Sequence, residues 1–367
     1  MKSKKTLKII TLIGTFIFAI IAILYGIFHF YYSKLNIKQA EDIVVEYIDE
    51  SEYIKEEQTE GAIDSSNKEI QEINDNIKNN INNNYNIINN EDVMNILLIG
   101  SDTRKKGQAA RSDSMMILSI NTKTKEITIT SLLRDIYVEI PGRGNNKLNA
   151  AYAFGGIDLL EETIKNNLYI DIDRYMSVDF FSFVEIVDLL GGIEIDVTDA
   201  EIKYINAYLH EINELEGYPI DDDYLTESGL ITLDGRQALS YARIRYIGTD
   251  FGRTERQRKL LEQIFYKLKD SDIATLNKLC LSVFPLITTD LTESEVLGLL
   301  FNMTDYKNYR FITGHIPYDN TYECGTINKM SVISIDFKEN IKMFYNNVYK
   351  TTEELDYNTV ENTGVIQ

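Results

Sequence analysis

The feature that most restricts this chain is an uncharged apolar run near its start. Residues 9–32 contain no Asp, Glu, Lys or Arg, and Lys2, Lys4, Lys5 and Lys8 precede them. As a helix, this run would span about 36 Å, enough to cross a bilayer. The lysines predict a cytoplasmic N-terminus. A cleaved signal peptide is the alternative, but its apolar core is normally shorter and no Ala-x-Ala follows here. We therefore expect a retained single-pass anchor in the cell membrane.

Composition changes sharply behind this run. Residues 67–90 contain eleven asparagines and are too polar to form a core, so we interpret the segment as a spacer. Beyond it, apolar runs resume and continue for most of the chain. We accordingly divide the sequence into residues 1–8, a basic cytoplasmic tail; 9–32, a transmembrane helix; 33–91, an acidic and Asn-rich linker; 92–270, the main folded domain; and 271–367, an extension that completes this domain or forms a small accessory region.

Charge and residue content argue against a nucleic-acid-binding protein and against a zinc site. The formal net charge of the 367 residues is −20, which argues against nucleic acid as a partner because such binding needs a basic surface. The two cysteines, Cys280 and Cys324, could form a disulfide, but the sequence does not establish one. No Cys/His grouping suggests zinc.

The folded part predicts an α/β architecture. Short apolar runs at 94–99, 115–120 and 127–133 have the pattern of strands, and the last two form a hairpin around a polar turn. Further on, strands alternate with helices. We predict helices at 148–154, 157–168, 180–190, 233–241, 254–268, 271–284, 292–303 and 337–348, and strands at 175–178, 193–197 and 311–316. This alternation predicts an α/β/α sandwich with a mixed central β-sheet.

Arginine usage points to a phosphate site. The chain has 25 lysines but only 12 arginines, and six of these arginines lie between residues 236 and 258. Because the chain otherwise uses mainly Lys, the local choice of Arg suggests that its planar guanidinium group is required. This group binds phosphate oxygens in a bidentate manner. A solvated helix face is the competing interpretation, and it is strongest for Arg236 and Arg258. We favour a ligand-binding role for Arg243, Arg245 and Arg253, which lie in or beside a short loop.

One helix is expected to present several of these side chains together. Arg253, Arg256 and Gln257 have i, i+3, i+4 spacing and so share a face. We predict that the helix opens at Thr254, where free N–H groups of the first turn would also favour an anion.

Carboxylates follow the first predicted strand and open the second. Asp102 comes directly after residues 94–99, Arg111 and Asp113 precede residues 115–120, and Arg134-Asp135 closes the third strand. Carboxylates at strand ends of α/β sheets face the crevice where ligands bind. Two aspartates near arginines suggest a divalent cation, Mg²⁺ or Mn²⁺, bridging carboxylate and pyrophosphate oxygens. Turn and cap roles are the ordinary alternative.

No nucleophile motif accompanies this set. The sequence has no GxSxG elbow, no phosphate-binding GxxxxGK[ST] loop and no Ser/His/Asp constellation. The simplest chemistry is then direct displacement at phosphorus by a hydroxyl group or water, with arginines and metal stabilising the developing charge. Asp102 would either ligate the metal or accept the proton of the attacking hydroxyl.

These residues resemble a known family. Six blocks occur in the family's order and spacing, and together they span about residues 92–269. The blocks are NILLIGSDTR, RSDSMMILSINTKTKEITITSLLRD, KLNAAYAFGG, VDFFSFVEIVDLLGGIEIDV, LDGRQALSYARIR and DFGRTERQ. They are similar to the LytR-CpsA-Psr family, whose members are anchored by one N-terminal helix. Two departures are mild: Leu133 stands where the family often has Pro, and Ser114 where it often has Thr.

The resemblance implies a role for each matching residue. Asp102 and Asp113 would be the metal-associated carboxylates. Asp102, Arg134, Arg245 and Arg253 would be catalytic. Pyrophosphate would be bound by Arg134, Arg245, Arg253 and Gln257, with Arg111 and Arg243 in support and Lys147 at a recurrent basic position. The implied fold carries a long apolar groove for a polyprenyl tail, with candidates among the apolar positions of residues 180–190.

The resemblance also implies a function. Such a protein is expected to transfer a glycopolymer, such as a teichoic acid or a capsular polysaccharide, from a polyprenyl-pyrophosphate carrier to peptidoglycan in a Gram-positive-type envelope. Polyprenyl phosphate would be released. Two alternatives stay open from the sequence: hydrolysis of polyprenyl pyrophosphates by water in the same site, and a non-catalytic role as an envelope regulator or scaffold.

Overall fold

The computed structural model of the protein describes residues 25–38, 48–83, 85–88, 90–101 and 112–351. Within these ranges the helices are α1 (25–32), α2 (Glu50–Glu57), α3 (Asn67–Asn83), α4 (Leu148–Leu168), α5 (Phe180–Leu189), α6 (Asp199–Glu216), α7 (Gly235–Arg243), α8 (Thr249–Asp270), α9 (Ile273–Ser282), α10 (Glu293–Phe301), α11 (Met303–Tyr306) and α12 (Phe337–Val348). The strands are β1 (Asn36–Ile37), β2 (Val93–Ser101), β3 (Ser112–Asn121), β4 (Glu126–Leu132), β5 (Tyr137–Ile140), β6 (Gly144–Lys147), β7 (Arg174–Asp179), β8 (Ile193–Val197), β9 (Gly229–Leu233), β10 (Thr288–Thr289), β11 (Arg310–Ile316), β12 (Tyr322–Ile327) and β13 (Met330–Ile335).

Seven strands form one mixed sheet in the order β1-β10-β7-β2-β3-β4-β11. Strand β2 is parallel to β7 and antiparallel to β3, β3 is antiparallel to β4, and β4 is parallel to β11. The carboxyl ends of β2, β4, β7 and β11 therefore lie at one end of the sheet, beside the start of β3. We call this the upper end. It is the end at which the sequence places its charged residues.

One face of the sheet is fully covered, and we call it the closed face. Alternate residues of the strands, among them Leu97, Ile117 and Tyr175, are inaccessible to solvent and belong to one large core. Helix α4 packs on this face, and α3 and α12 pack against α4. Burial of these side chains is the main apolar contribution to the stability of the fold.

The opposite face is covered less completely, and we call it the open face. Strand residues alternate between faces, so Leu98, Leu118, Met176 and Val178 point away from α4. These four side chains remain partly accessible. Helices α5 and α8 cover parts of this side, together with a smaller apolar cluster around Leu190, Val283 and Ile287.

The mixed α/β fold with a central mixed sheet is confirmed, as are the β3–β4 hairpin and most helices near their predicted bounds. The two helices predicted at 148–168 are merged across a kink at Gly155 and Gly156, which have non-helical dihedral angles. Strand β8 does not join the central sheet and pairs with β9 in a separate two-stranded sheet.

Helix α6 was missing from the prediction. It begins with a capping box in which the Thr198 hydroxyl and the Glu201 carboxylate satisfy each other's backbone N–H groups. This Thr-x-x-Glu signal is readable in the sequence. Strands β5, β6, β9, β12 and β13 were also not predicted.

Parts of the segment expected to be a spacer, residues 33–91, belong to the folded domain. Strand β1 pairs with β10 at the edge of the central sheet. On α2 and α3, Tyr53 and Ile77 are buried in the core of the closed face. Isoleucines at helical spacing supply α3 with an apolar face despite its asparagines, and Asn80 is itself buried, where it donates to the carbonyl of Asn167.

The C-terminal part of the chain completes the same domain. Strand β11 extends the central sheet beside β4, and α12 packs against α4. No helix among the described residues is long and apolar enough to span a membrane. The predicted anchor lies outside the described residues up to residue 24, and residues 25–32 form α1.

Candidate active site

Two of the predicted charged residues, Asp113 and Arg134, lie at the upper end of the sheet. Arg134 follows β4, and Asp113 lies in β3 next to the register shift where β3 pairs with the end of β2. The side chain of Asp113, and the whole of Asp102 and Arg111, lie outside what the structure describes. The assignment of Asp102 and Asp113 to a metal therefore remains a prediction. Within the described residues, no group of His, Cys, Asp and Glu has the arrangement of a metal site.

Two of the predicted arginines meet at one aspartate. Asp250, in the first turn of α8, forms an ion pair with Arg253, and its Oδ1 lies 3.9 Å from Nε of Arg134. Arg253 is 2% exposed, which is exceptional for an arginine. Burial raises the pKa of the Asp250 carboxyl, while the Arg253 guanidinium opposes that shift. The carboxylate thus holds two guanidinium groups beside each other in a low-dielectric setting, where they bind anions more strongly than in water.

Lys147 lies behind this pair and is largely inaccessible. Its Nζ is 2.9 Å from Oδ1 of Asp135 and 2.9 Å from Oε2 of Glu57. Asp135 in turn lies 3.6 Å from Nε of Arg134. With its side chain 3% exposed and two carboxylates within reach, Lys147 acts here as a positioning residue, since it holds Asp135 beside Arg134. Direct contact between Lys147 and pyrophosphate, as predicted, does not follow from this geometry.

Arg243 and Arg245 stand at the end of α7. The guanidinium of Arg243 is 3.2 Å from Glu211 on α6, and it also stacks over the rings of Tyr208 and Phe180. Arg245 is exposed beyond the helix end. The close approach of α7 to α5 depends on Gly235, because a Cβ there would collide with the carbonyl group of Val184. That contact fixes where the two arginines emerge.

Gln257 lies on α8, the same helix as Arg253 and Asp250. Its Oε1 is buried, and no hydrogen-bond partner for it is found in the described part of the chain. A buried amide oxygen in this state is unfavourable unless a ligand or solvent supplies a donor. Helix α8 opens at Thr249, five residues earlier than predicted. Arg253 is therefore in the second turn, and the argument from free N–H groups at Thr254 was wrong.

Three arginines of the cluster have other roles. Arg256, expected to face the ligand with Arg253, points elsewhere: it pairs with Glu201 at 2.8 Å and donates to the carbonyls of Ile244 and Ile247. Arg236 pairs with Asp222 and Asp223, so it is structural but not freely solvated. Arg258 is 8% exposed and donates to the Ser131 hydroxyl, which shows that its interpretation as a solvated surface residue was wrong.

Sequence reasoning missed two acidic members of this site. Asp250 was available as the first residue of the DFGRTERQ block, three positions before Arg253 on the same helix. Glu57 had no signal of this kind, because it lies in the segment interpreted as a spacer and reaches the site only through tertiary packing.

An apolar surface adjoins the charged end of the sheet. The partly accessible side chains of the open face include Val178, one residue before the end of β7, and Leu118, while Ile96 and Met116 on the same face are buried. Ile186 and Leu189 of α5 pack beside them. The groove expected along the apolar positions of residues 180–190 stays a prediction. An amphipathic ligand, with an anionic head and a long apolar tail, would fit this combination.

The family model for LytR_cpsA_psr matches residues 52–346, so this chain belongs to the LytR_cpsA_psr family. The match starts within α2, in agreement with the packing of α2 and α3 on the closed face.

Relatives and solved structures show the same similarity. A polyisoprenyl-teichoic acid–peptidoglycan teichoic acid transferase TagU from Enterococcus faecalis is 35% identical over 244 residues, covering 65% of this chain and 73% of that protein. The TagU of Bacillus licheniformis is 37% identical over 194 residues, 52% of this chain and 56% of that protein. Among solved structures, the family protein YwtF (TagT) with bound octaprenyl pyrophosphate lipid has a TM-score of 0.53 and 25% identity, over 71% of this chain and 91% of that chain.

Proposed function

We propose that this protein is a phosphotransferase that moves a glycopolymer from a polyprenyl-pyrophosphate carrier to peptidoglycan and releases polyprenyl phosphate. One observation carries the proposal. The buried guanidinium group of Arg253 and the half-buried one of Arg134 lie beside the carboxylate of Asp250, at the end of a sheet whose open face is a partly accessible apolar surface. A pyrophosphate head and a polyprenyl tail need these two environments side by side.

The similarity to named proteins supports the same substrate class. The relatives named TagU are teichoic acid transferases that use a polyisoprenyl donor and peptidoglycan, and a related structure holds octaprenyl pyrophosphate. Teichoic acid is one candidate glycopolymer for this chain, and other phosphate-linked wall polymers present the same chemistry at the transferred phosphorus.

In the proposed reaction, a sugar hydroxyl of peptidoglycan attacks the phosphorus that carries the glycan. The bond from this phosphorus to the bridging oxygen breaks, and polyprenyl phosphate leaves with the electron pair. The hydroxyl proton passes to a general base, a role that Asp102 can fill only in place of ligating a metal. Arg134, Arg245 and Arg253 would stabilise the charge that develops on the phosphoryl oxygens. Asp250 holds Arg134 and Arg253 in position before substrate arrives, which lowers the reorganisation needed during the reaction.

A divalent cation, Mg²⁺ or Mn²⁺, is part of this proposal. The register of β2 and β3 brings the start of β3, with Asp113, next to the segment that continues to Asp102. Hard carboxylate ligands at the pyrophosphate end suit either ion, and Asp102 and Asp113 would hold it. When bound, such an ion would neutralise phosphate charge.

The test uses the full-length chain in detergent, with a polyprenyl-pyrophosphate-linked glycan, Mg²⁺ and nascent peptidoglycan. Wild type is expected to attach glycan to peptidoglycan and to release lipid phosphate in equal amounts. Arg245→Ala and Asp113→Ala should lower the rate by about 10²-fold or more, since each removes a charge at the transferring phosphoryl group. Arg310→Ala is the matched control, because Arg310 is an exposed arginine at the lower end of the sheet.

The products separate this proposal from its alternatives. Lipid phosphate without labelled peptidoglycan would indicate a hydrolase. Absence of both products with wild type, under conditions where the lipid binds, would contradict an enzymatic function and favour a regulatory one.

We also propose that the protein is held in the cell membrane by residues 9–32, with the catalytic domain outside. Cys324 is exposed and free, and it offers a direct test. In a Cys280→Ser background, a membrane-impermeant maleimide added to intact cells should label Cys324. Labelling only after cell lysis would contradict this topology.

A further inference from the structure

Two tyrosine rings lie stacked on the surface beside Arg245. The ring centroids of Tyr204 and Tyr246 are 5.4 Å apart with an interplanar angle of 19°. Tyr246 is 76% exposed, among the most exposed large apolar side chains of the described residues. An aromatic ring left in water at such exposure contributes little to folding, so its position calls for another explanation.

The tyrosines belong to a continuous strip on one side of α6. Tyr204, Tyr208 and Glu211 follow i, i+4, i+7 spacing, which places them along one face of the helix. The guanidinium of Arg243 lies 4.8 Å from the ring centroid of Tyr208 and bonds to Glu211. The strip therefore runs from the exposed pair towards the arginines at the end of α7.

Arg245 lies close enough to this strip to affect it. Burial raises the pKa of the Tyr208 hydroxyl, and the positive charges of Arg243 and Arg245 both act against that shift. Tyr246 follows Arg245 directly in the chain. A molecule whose phosphate reached Arg245 would consequently bring its next group over the tyrosines.

The loop that carries Tyr246 is held rigidly. Buried Arg256 donates to the carbonyl oxygens of Ile244 and Ile247, which flank Arg245 and Tyr246, at 3.2 and 3.0 Å. The same guanidinium pairs with Glu201, one turn of α6 before Tyr204. One buried side chain thus fixes both elements that supply the stacked rings, so the pair is positioned before any ligand binds.

We propose that Tyr246, backed by Tyr204, is a sugar-binding platform that stacks against a pyranose ring of the wall glycan next to the transferred phosphate. A pyranose has an apolar face of C–H groups and polar edges. A tyrosine matches both, with a flat apolar ring and a hydroxyl that forms hydrogen bonds. The sugar belongs either to the glycan of the donor or to the peptidoglycan acceptor. This inference rests on the proposed function, since it places the platform in the same site.

The chain offers a matched control for exposed aromatic stacking. Tyr218 is 47% exposed and stacks on Arg236, at 4.2 Å between the guanidinium carbon and the ring centroid. It follows the C-terminus of α6 at Glu216, which is about 18 Å from Tyr204 along the helix at ~1.5 Å per residue. Tyr218 therefore has comparable surroundings without proximity to Arg245.

The experiment compares Tyr246→Ala, Tyr246→Phe and Tyr218→Ala in the full-length protein. Three quantities are measured: affinity for polyprenyl pyrophosphate without sugar, KM for the glycan-bearing donor, and KM for the peptidoglycan acceptor. We expect Tyr246→Ala to raise one of the two KM values about tenfold. The KM that rises identifies the source of the sugar. Affinity for the sugar-free lipid and the melting temperature should stay unchanged, Tyr246→Phe should retain most binding, and Tyr218→Ala should behave as wild type.

Two results would overturn the platform: unchanged KM values for Tyr246→Ala, or an equal loss of affinity for the sugar-free lipid, which would mean that the ring only supports the loop. Saturation-transfer NMR with free wall oligosaccharides tests the platform independently of turnover. If wild type binds them through Tyr246 but transfers nothing, the proposed function fails and the platform stands. If it transfers glycan while Tyr246→Ala binds the oligosaccharides equally well, the platform fails alone.

Discussion

The two faces of the central sheet are built from the same strands but differ in how completely helices cover them. On β2 and β3, Leu97 and Ile117 point to the closed face and are fully buried, whereas their neighbours Leu98 and Leu118 point to the open face and remain partly accessible. All four residues are apolar, so the difference does not come from side-chain type. It comes from what covers each face: α4, with α3 and α12 behind it, completes a core, while the helices on the other side leave an apolar strip beside the charged end of the sheet.

The comparison shows that an apolar residue in a strand can serve either packing or ligand binding. On the closed face each side chain is surrounded by others, and its removal would leave a cavity. On the open face the missing neighbours leave room for a flexible lipid chain, which adapts to an irregular surface. The predictions compare substitutions of adjacent residues, one buried on the closed face and one partly accessible on the open face.

The largest difference is expected when a charge is placed on each face. Ile117→Asp puts a carboxylate into a site with no solvent access and should destabilise the fold by about 4 kcal/mol or more. Leu118→Asp, one residue later, should cost about 1 kcal/mol and instead abolish binding of polyprenyl pyrophosphate. Urea unfolding and lipid-binding titrations of the two variants measure these effects. Equal destabilisation by both would show that the open face is closed in solution.

A smaller contrast is expected for truncation of the neighbouring leucines. Leu97→Ala should lower the free energy of unfolding by about 2–5 kcal/mol because it creates a cavity. Leu98→Ala should lower it by about 1 kcal/mol. Leu98→Ala should also raise KM for donors with long polyprenyl chains and leave short-chain donors unaffected. An identical effect on both chain lengths would remove Leu98 from the proposed tail-binding surface.

The last contrast concerns pH and lies on a helix of the closed face. Burial, reinforced by Asp290 and Asp158, raises the pKa of Glu161 on α4 to about 8. Between its ordinary value of 4.5 and about 8, the folded protein keeps a proton that the unfolded chain releases, so stability falls as pH rises through this range. Glu161→Gln should weaken this pH dependence and be more stable than wild type above pH 8. Thermal melts from pH 5 to 9 measure it, and parallel curves for both proteins would contradict the assignment.

Much of the fold was predictable because its signals are local. Strands β2 and β3 contain apolar runs and β4 is a β-branched run, and the β3–β4 pairing follows from the short turn between them. Helix α6 had an equally local capping signal that was overlooked. The segment with α2 and α3 could not be assigned in this way. Its polar composition resembles a spacer, and its helices are stabilised chiefly by the partners on which they pack.

The site was predicted in part for the same reason. Unusual arginine usage in a lysine-rich chain is visible without a structure, and it pointed to Arg243, Arg245 and Arg253. The family resemblance added Arg134 and Gln257 to the expected pyrophosphate site. The position of Arg258 inside the protein and the turning of Arg256 towards Glu201 were not visible. Residues one helical turn apart look equivalent in a sequence, and the direction each side chain takes depends on which carboxylates and carbonyls surround it.

The sequence by itself determined which chemical groups this protein contains: an apolar run near the start, strands ending in charged residues, and an arginine cluster in an acidic chain. Only the tertiary structure decided which of these groups come into contact and which stay accessible. It placed Asp250 between two guanidinium groups, brought Glu57 to Lys147 from a distant segment, and left one apolar face accessible and the other closed. These outcomes depend on contacts between residues far apart in the chain, and no local pattern of side chains specifies which of several equally apolar or equally charged residues will meet.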